Sequence, residues 1–598
     1  MRKIKTMLAV FRIFMKTIAL LWKTSPVSFI LILLIDFSSG LIIPAKLWVW
    51  KEVLDQIANI ITQTSGSLGD IFIWLFIHFL LMLFGSLLKN ISTYMQNIYS
   101  AVLNVTLTRE ILQKISLMSM EHFDNSETYN RIQKANDESL SRSISILQTL
   151  VAFIQNSTSL LGIVGILFYF SKSVVFLCII SAVPMFYISI KILNKWFDVF
   201  NGRFERNRFA KHLKSISIKN QNVKELKIYR SYAYLTGVIL GTLNEYLTED
   251  KKIRKRFLIE TSLVEGLDQA ILYFIKILVI LISVQNKLTI GAITMYVTAV
   301  DNLKNSVSNI LSLLSTAYED SLYMQSIFEL LEISTKEEQS DRGFPVGFQT
   351  IEFKDVSFCY PNTQQYVLKN INLRLEANQT YVLVGMNGSG KTTLIKLLLK
   401  LYQPTEGEIL IDGVNINTLN QESYYKHVSA VFQDFIQYPF DIKTNIGLGN
   451  PDQVDDIKQI IEAAKLSGAD SFISKLPEQY STKLQKEWSG SIDLSLGQWQ
   501  KVAITRAMMK SSAILILDEP SASLDVVAEH EIYERFQEMR RSKLCLMVTH
   551  RFVNTAVADG IIVLQSGEVI EEGKHTELMR RNGVYAQLYQ LQAESYAI

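Results

Sequence analysis

Long apolar runs fill the first half of this 598-residue chain and stop near residue 316. A hydrocarbon core of about 30 Å is crossed by about 20 apolar residues in a helix. No water reaches that layer, so the backbone must satisfy itself there. Helices satisfy it within each segment. Six candidate spans follow: about 25–50, opened by Pro26; about 70–92, centred on Ile71 to Phe84; about 144–170; about 173–191; about 264–284; and about 290–316. Ser171-Lys172 is nearly the whole link between the third and fourth, and Gln285 to Thr289 that between the fifth and sixth. The other links are long. Residues 201–256 alone hold fourteen Lys or Arg against five Asp or Glu. The positive-inside bias places these links and the N-terminus in the cytoplasm. Their periodic apolar residues predict spanning helices that continue into the cytoplasm as long rods.

The first 24 residues carry Arg2, Lys3, Lys5, Arg12, Lys16 and Lys23 and no acid. Leu8, Phe11, Phe14, Met15, Ile18, Leu21 and Trp22 recur at helical spacing, which predicts an amphipathic helix on the inner membrane face. Asp36, Lys46, His78, Asn156, Asp268 and Lys276 sit within the candidate spans. Polar groups are costly there. They line a path or hold helices together, and the sequence alone does not separate the two. Three cysteines, Cys178, Cys359 and Cys545, have no metal-ligand spacing and make no disulfide framework. The net charge of only +3 points to no nucleic-acid partner.

Beyond a polar linker at about 333–349, apolar runs shorten to strand length. Ile351 to Phe358 alternates with period two. Tyr381-Val382-Leu383-Val384 reads as a buried strand, and Leu394 to Leu401 as a helix. Between them, Gly385-Met386-Asn387-Gly388-Ser389-Gly390-Lys391-Thr392 matches the phosphate-binding loop, followed by Thr393. Its glycines let consecutive N–H groups turn toward phosphate oxygens. Lys391 can reach the β- and γ-phosphates and Thr392 can offer its hydroxyl to Mg²⁺. A second apolar strand, Ala513 to Leu517, delivers Asp518 as a Mg²⁺ ligand and Glu519 to polarise the attacking water. Strands alternating with helices imply an α/β core.

With these motifs in order, the chain resembles an ATP-binding cassette exporter over nearly its full length. The variety it most resembles exports lantibiotics and related bacteriocin peptides and has no N-terminal peptidase domain. The resemblance implies an α-helical polytopic membrane domain of six helices fused to an α/β P-loop nucleotide-binding domain. The boundaries expected are 1–24 for the N-terminal helix, 25–332, linker 333–349, and 350–598. Leu494-Ser495-Leu496-Gly497-Gln498 is similar to the signature L-S-G-G-Q, which in that family closes over ATP held by a second cassette. Ser495, Gly497 and Gln498 would then contact ATP across a dimer, in the simplest case a homodimer. Tyr360 resembles the aromatic that stacks on adenine. Gln433 resembles the glutamine that senses Mg²⁺ and water, Asp525 the residue that couples the two sites, and His550 the switch on the γ-phosphate. With Glu519 these make the catalytic set. Glu121 to Asp124 and Lys224 to Tyr229 resemble segments near coupling helices. Two departures stand out: Leu496 in place of a glycine, and no clean Gly-Glu-x-Gly around Glu487. The function implied is ATP-driven export across the cell membrane, with ATP and Mg²⁺ as cofactors and the cassette in the cytoplasm. Gln498-Trp499-Gln500-Lys501 and Phe432-Gln433-Asp434-Phe435 resemble the versions in lantibiotic exporters, and no Cys precedes Cys178. A peptide cargo is therefore expected, ahead of a drug or lipid, and ahead of a regulatory ATPase that moves nothing.

Overall fold

The computed structural model describes residues 2–62, 67–181, 183–334, 341–361, 363–519, 543–549, 555 and 558–596. The chain divides into two compact units, Met1–Ser116 with Asn130–Ile333, and Leu117–Tyr129 with Ser334–Ile598.

The first unit is helical: α1 (Arg2–Thr24), α2 (Pro26–Ile61), α3 (Leu68–Ser116), α5 (Ser126–Phe170, whose first residues belong to the second unit), α6 (Lys172–Ser181), α7 (Val183–Ile218), α8 (Asn220–Ile228), α9 (Tyr232–Gln285) and α10 (Ile290–Leu331). The short α4 (Met120–Asp124) belongs to the second unit. At 1.5 Å per residue, the 54 residues of α9 extend about 80 Å, far beyond a hydrocarbon core of about 30 Å. Among the described residues, four stretches are long and apolar enough to cross a membrane: Pro26–Ile61, Leu68–Ser116, Ser141–Phe170 and Tyr232–Gln285. The fourth expected span, 173–191, is described as α6 and α7, and residue 182 between them lies outside the described residues. The sixth, 290–316, is helical throughout α10, but Asp301 and Lys304 dilute its apolar character.

Those charges have partners. Lys276 on α9 pairs with Asp301 on α10 at 2.6 Å, and Lys304 pairs with Asp268. Ser92 donates to Asp36 at 2.6 Å, and Asn309 to Asn156 at 3.3 Å. His78 lies 5.2 Å from the Trp50 ring. Five of the six polar residues noted within the spans thus join neighbouring helices, which is how a bundle without a hydrophobic driving force is held. On α1, Thr17, Leu20 and Leu21 are buried, and Tyr99 donates to the Leu21 carbonyl, whereas Phe11, Met15 and Trp22 stay exposed.

The second unit is built on two sheets. Strands β1 (Thr350–Cys359), β2 (Tyr366–Glu376), β4 (Glu406–Ile411) and β5 (Val414–Asn415) form an antiparallel sheet in the order β2-β1-β4-β5. The other sheet runs β10-β9-β3-β8-β7-β6, from β3 (Thr380–Val384), β6 (Val428–Val431), β7 (Ile514–Asp518), β8 (Leu544–Val548), β9 (Gly560–Gln565) and β10 (Glu568–Gly573). All its neighbours are parallel except the edge pair β9–β10. Every residue of β3, β7 and β8 is buried, so these strands read as continuous apolar runs. A third core gathers the helices around Trp499, with Ile442, Ile460, Leu484 and Leu494 packed against it.

Candidate nucleotide site

Parallel strands deliver their carboxyl ends to one edge, where open α/β sheets bind ligands. Here β8 separates β3 from β7, and the Asp518↔Val548 register aligns the strand ends. The phosphate-binding loop leaves β3, and Asp518 and Glu519 leave β7.

The loop conformation demands glycine. Gly385 has φ +151°, and a Cβ there would lie 2.2 Å from the Leu564 carbonyl oxygen. Gly390, at φ +106°, caps the helix Lys391–Leu398, and a Cβ there would meet Leu368 at 2.7 Å. Asn387 and Gly388 are exposed at the tip, and Ser389 is buried. The Ser389 Oγ has no hydrogen-bond partner among the described residues. Lys391 folds back over the loop, donating to the Gly385 and Met386 carbonyls at 2.9 and 3.0 Å. Burial holds its ammonium below the ordinary lysine range, and Glu519 and Asp518 oppose that shift.

The Thr392 hydroxyl lies beside Asp518 and favours its ionised form. Burial, and then the Glu519 charge, push the Asp518 carboxyl above its ordinary range, with Asp434 adding to the effect. A crowd of acids that resists ionising is a place where a cation would be welcome. The donors are all oxygens, as a hard cation requires. No group of three or more His, Cys, Asp or Glu that could hold a metal occurs among the described residues. A cation here would therefore complete its shell with water and phosphate, the usual arrangement for Mg²⁺.

Glu519 itself adopts φ +51°, uncommon for a residue with a side chain. Its N–H donates to the Val548 carbonyl at 3.1 Å. The Gln500 amide lies 3.5 Å from the Glu519 carbonyl. Gln500 was not singled out from the sequence for this place. It belongs to the helix Leu496–Met508, which Ser495 opens with a capping box: Ser495 Oγ accepts from the Gln498 N–H at 3.2 Å, and Gln498 Oε1 accepts from the Ser495 N–H at 2.9 Å. Within one chain no hydrogen bond among the described residues links Ser495 or Gln498 to the phosphate loop. Gly497 lies in the first turn of the same helix. Leu496 is 54 % exposed in the ordinary helical conformation, so the backbone does not require the glycine it replaces. Gln433 is exposed two residues beyond β6. Asp525 and His550 lie outside the described residues.

Tyr360 follows β1. Its hydroxyl shares a hydrogen bond with Thr393 at 3.1 Å, and its ring meets Tyr402 edge-on at 5.4 Å. Tyr402 in turn donates to Asp124 of α4 at 2.5 Å. No local pattern marks Tyr402, because its partner lies 278 residues away.

A family model described as ABC transporter matches residues 368–522, which span the phosphate loop and Asp518-Glu519. These residues are an ABC transporter domain. The chain's fold is that of "a bacterial Atm1-family ABC exporter with ATP bound", with a TM-score of 0.79 at 21 % identity, covering 96 % of this chain and 98 % of that one. The transporter is 28 % identical to the subtilin transport ATP-binding protein SpaT of Bacillus subtilis, over 98 % of this chain and 95 % of SpaT. It is 26 % identical to the nisin transport ATP-binding protein NisT of Lactococcus lactis, over 91 % and 90 %. The ATP-dependent lipid A-core flippase of Escherichia coli is 27 % identical over 86 % and 87 %. The transporter thus joins an ATPase to a multi-pass membrane domain.

Proposed function

We propose that this transporter hydrolyses ATP to export a peptide, in the manner of a lantibiotic precursor, as a homodimer in the cell membrane. The observation that carries the cargo reading is similarity to SpaT and NisT along nearly the whole chain, membrane helices included.

In this reading the loop from Gly385 to Thr393 cradles the phosphates, with Asn387, Gly388, Ser389 and Gly390 supplying N–H donors and Lys391 leaving its own carbonyls for the β- and γ-oxygens. ATP restores full charge to that lysine by replacing its lost hydration. Thr392, Asp518 and Gln433 hold Mg²⁺, which neutralises charge on the phosphates. Glu519 orients the attacking water and takes its proton, and His550 holds the γ-phosphate. Tyr360 stacks on adenine. Ser495, Gly497 and Gln498 of one chain close over ATP held by the other, and Asp525 couples the two sites. The exposure of Ser495 and Leu496 at a helix N-terminus supports that closure, since such an end attracts phosphate. The domain boundaries 1–24, 25–332, 333–349 and 350–598, six spans and a cytoplasmic cassette complete the proposal. Residues 335–340 of the linker lie outside the described residues. Ile228 and Tyr229, exposed at 76 % and 72 % at the end of α8, suit a coupling segment seated in a cassette cleft.

Inside-out vesicles containing the transporter test the cargo. ATP-dependent accumulation of a leader-bearing lanthionine peptide is expected, and none with Glu519→Gln. Transfer of a labelled lipid without peptide uptake would favour the second reading, which the similarity to the lipid A-core flippase supports.

A further inference from the structure

Helices α7 and α9 run antiparallel, and three of their contacts frame a cavity. Arg203 pairs with Glu249 at 2.6 Å and with Asp250 at 2.7 Å. The Arg254 guanidinium lies over the Trp196 ring at 4.9 Å. Lys191 pairs with Glu260 at 2.8 Å, and Arg256 shares that carboxylate at 3.1 Å. Between the outer two contacts lies a half-open cavity of about 450 Å³, lined by Lys191, Lys195, Asp198, Lys252, Arg256 and the apolar Ile253 and Phe257.

The contacts leave an uneven charge. Glu260 is shared by Lys191 and Arg256. Lys195 and Lys252 make no ion pair among the described residues, and Asp198 is the one acid in the lining. Four cations face two carboxylates, Asp198 and Glu260. The depth is set by α9, a helix apolar enough to cross the membrane, whose apolar run in the sequence begins near residue 264. Residue 257 lies seven positions earlier, about 10 Å along the axis. That is headgroup depth, where tryptophan such as Trp196 and long basic side chains concentrate.

We infer that this cavity binds the phosphate of an anionic lipid headgroup from the inner leaflet. Lys195 and Lys252 meet the phosphate, and Phe257 and Ile253 meet the glycerol. The volume matches a headgroup with its glycerol and is several times what a bare phosphate fills. The apolar part of the lining suits an amphiphile better than an acidic peptide segment, whose backbone would be left without partners there. The inference stands apart from the cargo reading but rests on the proposed cytoplasmic side for these helix ends.

Native mass spectrometry of the full-length protein in nonionic detergent, with equal amounts of phosphatidylglycerol and phosphatidylcholine, tests it. Preferential retention of one phosphatidylglycerol is expected. Each lysine near an anionic surface contributes enough that Lys195→Gln with Lys252→Gln should weaken that retention about thirtyfold. Lys195→Arg with Lys252→Arg should restore it. Neither inorganic phosphate nor a polyglutamate peptide at matching concentration should displace the lipid. Equal retention of the two lipids by the unaltered protein overturns the inference, as does unchanged retention in the double Gln variant. Displacement by phosphate alone would make this a free-anion site, and displacement by polyglutamate a peptide site; either result refutes the lipid assignment.

Discussion

At the scale of single residues, Asp518 at the end of β7 and Glu519 just past it hold opposite assignments. Glu519→Gln should leave ATP binding intact and lower turnover by about 10²–10⁴, the usual worth of a positioned base; steady-state phosphate release against nucleotide-binding titration checks this. Asp518 is buried beside Glu519, so the folded chain holds its proton more tightly than the unfolded chain does. With the folded-state value raised, its contribution to stability falls as pH climbs above the ordinary value of 3.8. Asp518→Asn should therefore stabilise the nucleotide-free protein at neutral pH by about 1 kcal/mol in thermal melts, yet abolish Mg²⁺-dependent turnover. In the unaltered protein, Mg²⁺ affinity should fall, and half-saturation move to higher Mg²⁺, as acid protonates that carboxylate. Two glycine exchanges separate backbone need from habit. Gly385→Ala forces a side chain into a carbonyl at 2.2 Å and into a left-handed φ, and should eliminate nucleotide binding. Leu496→Gly meets neither constraint and should shift stability by no more than about 1 kcal/mol. The phosphate-binding loop and the Asp518 strand could be read from sequence because both are contiguous and strand-flanked. The approach of Thr392 to Asp518 could not, since 126 positions separate the two and only the parallel sheet brings them together. Leu496 stood out against a family pattern, and its significance changed once its φ and exposure were known.

At the scale of elements, the periodicity of apolar residues announced the rods, and α3, α5, α9 and α10 run 49, 45, 54 and 42 residues. The spans themselves were less legible where charges sit among apolar residues. Asp301 and Lys304 look like interruptions in a linear reading; in space they answer Lys276 and Asp268 on the neighbouring helix. Likewise the segment Glu121 to Asp124 could be named only by resemblance. Its fold gives it a specific contact, the Asp124 carboxylate taking the Tyr402 hydroxyl, with the Tyr402 ring against Tyr360. Asp124 raises the Tyr402 hydroxyl further above its ordinary range, adding to burial. Tyr402→Phe keeps the ring and loses that bond. It should preserve basal ATPase activity within about twofold and remove stimulation by cargo. A cargo response equal to that of the unaltered protein would show that Asp124 is a passive neighbour.

At the scale of the whole molecule, half of each proposed ATP site lies on one chain, with Ser495 facing outward and Lys391 buried elsewhere. ATP with Mg²⁺ should therefore convert Glu519→Gln protein to a tighter two-chain species, visible by light scattering or by crosslinking through a cysteine at position 496. The family and the α/β half were open to sequence reading because their motifs are short. The assembly entered only through the resemblance of Leu494 to Gln498 to the family signature, because no local pattern by itself encodes what a second copy contributes. The length of α9 has a mechanical corollary. A rod of about 80 Å amplifies rotation: a pivot of about 10° at one end carries the other about 14 Å sideways. Small adjustments where such a rod is gripped are thereby geared up into displacements the size of a peptide's width.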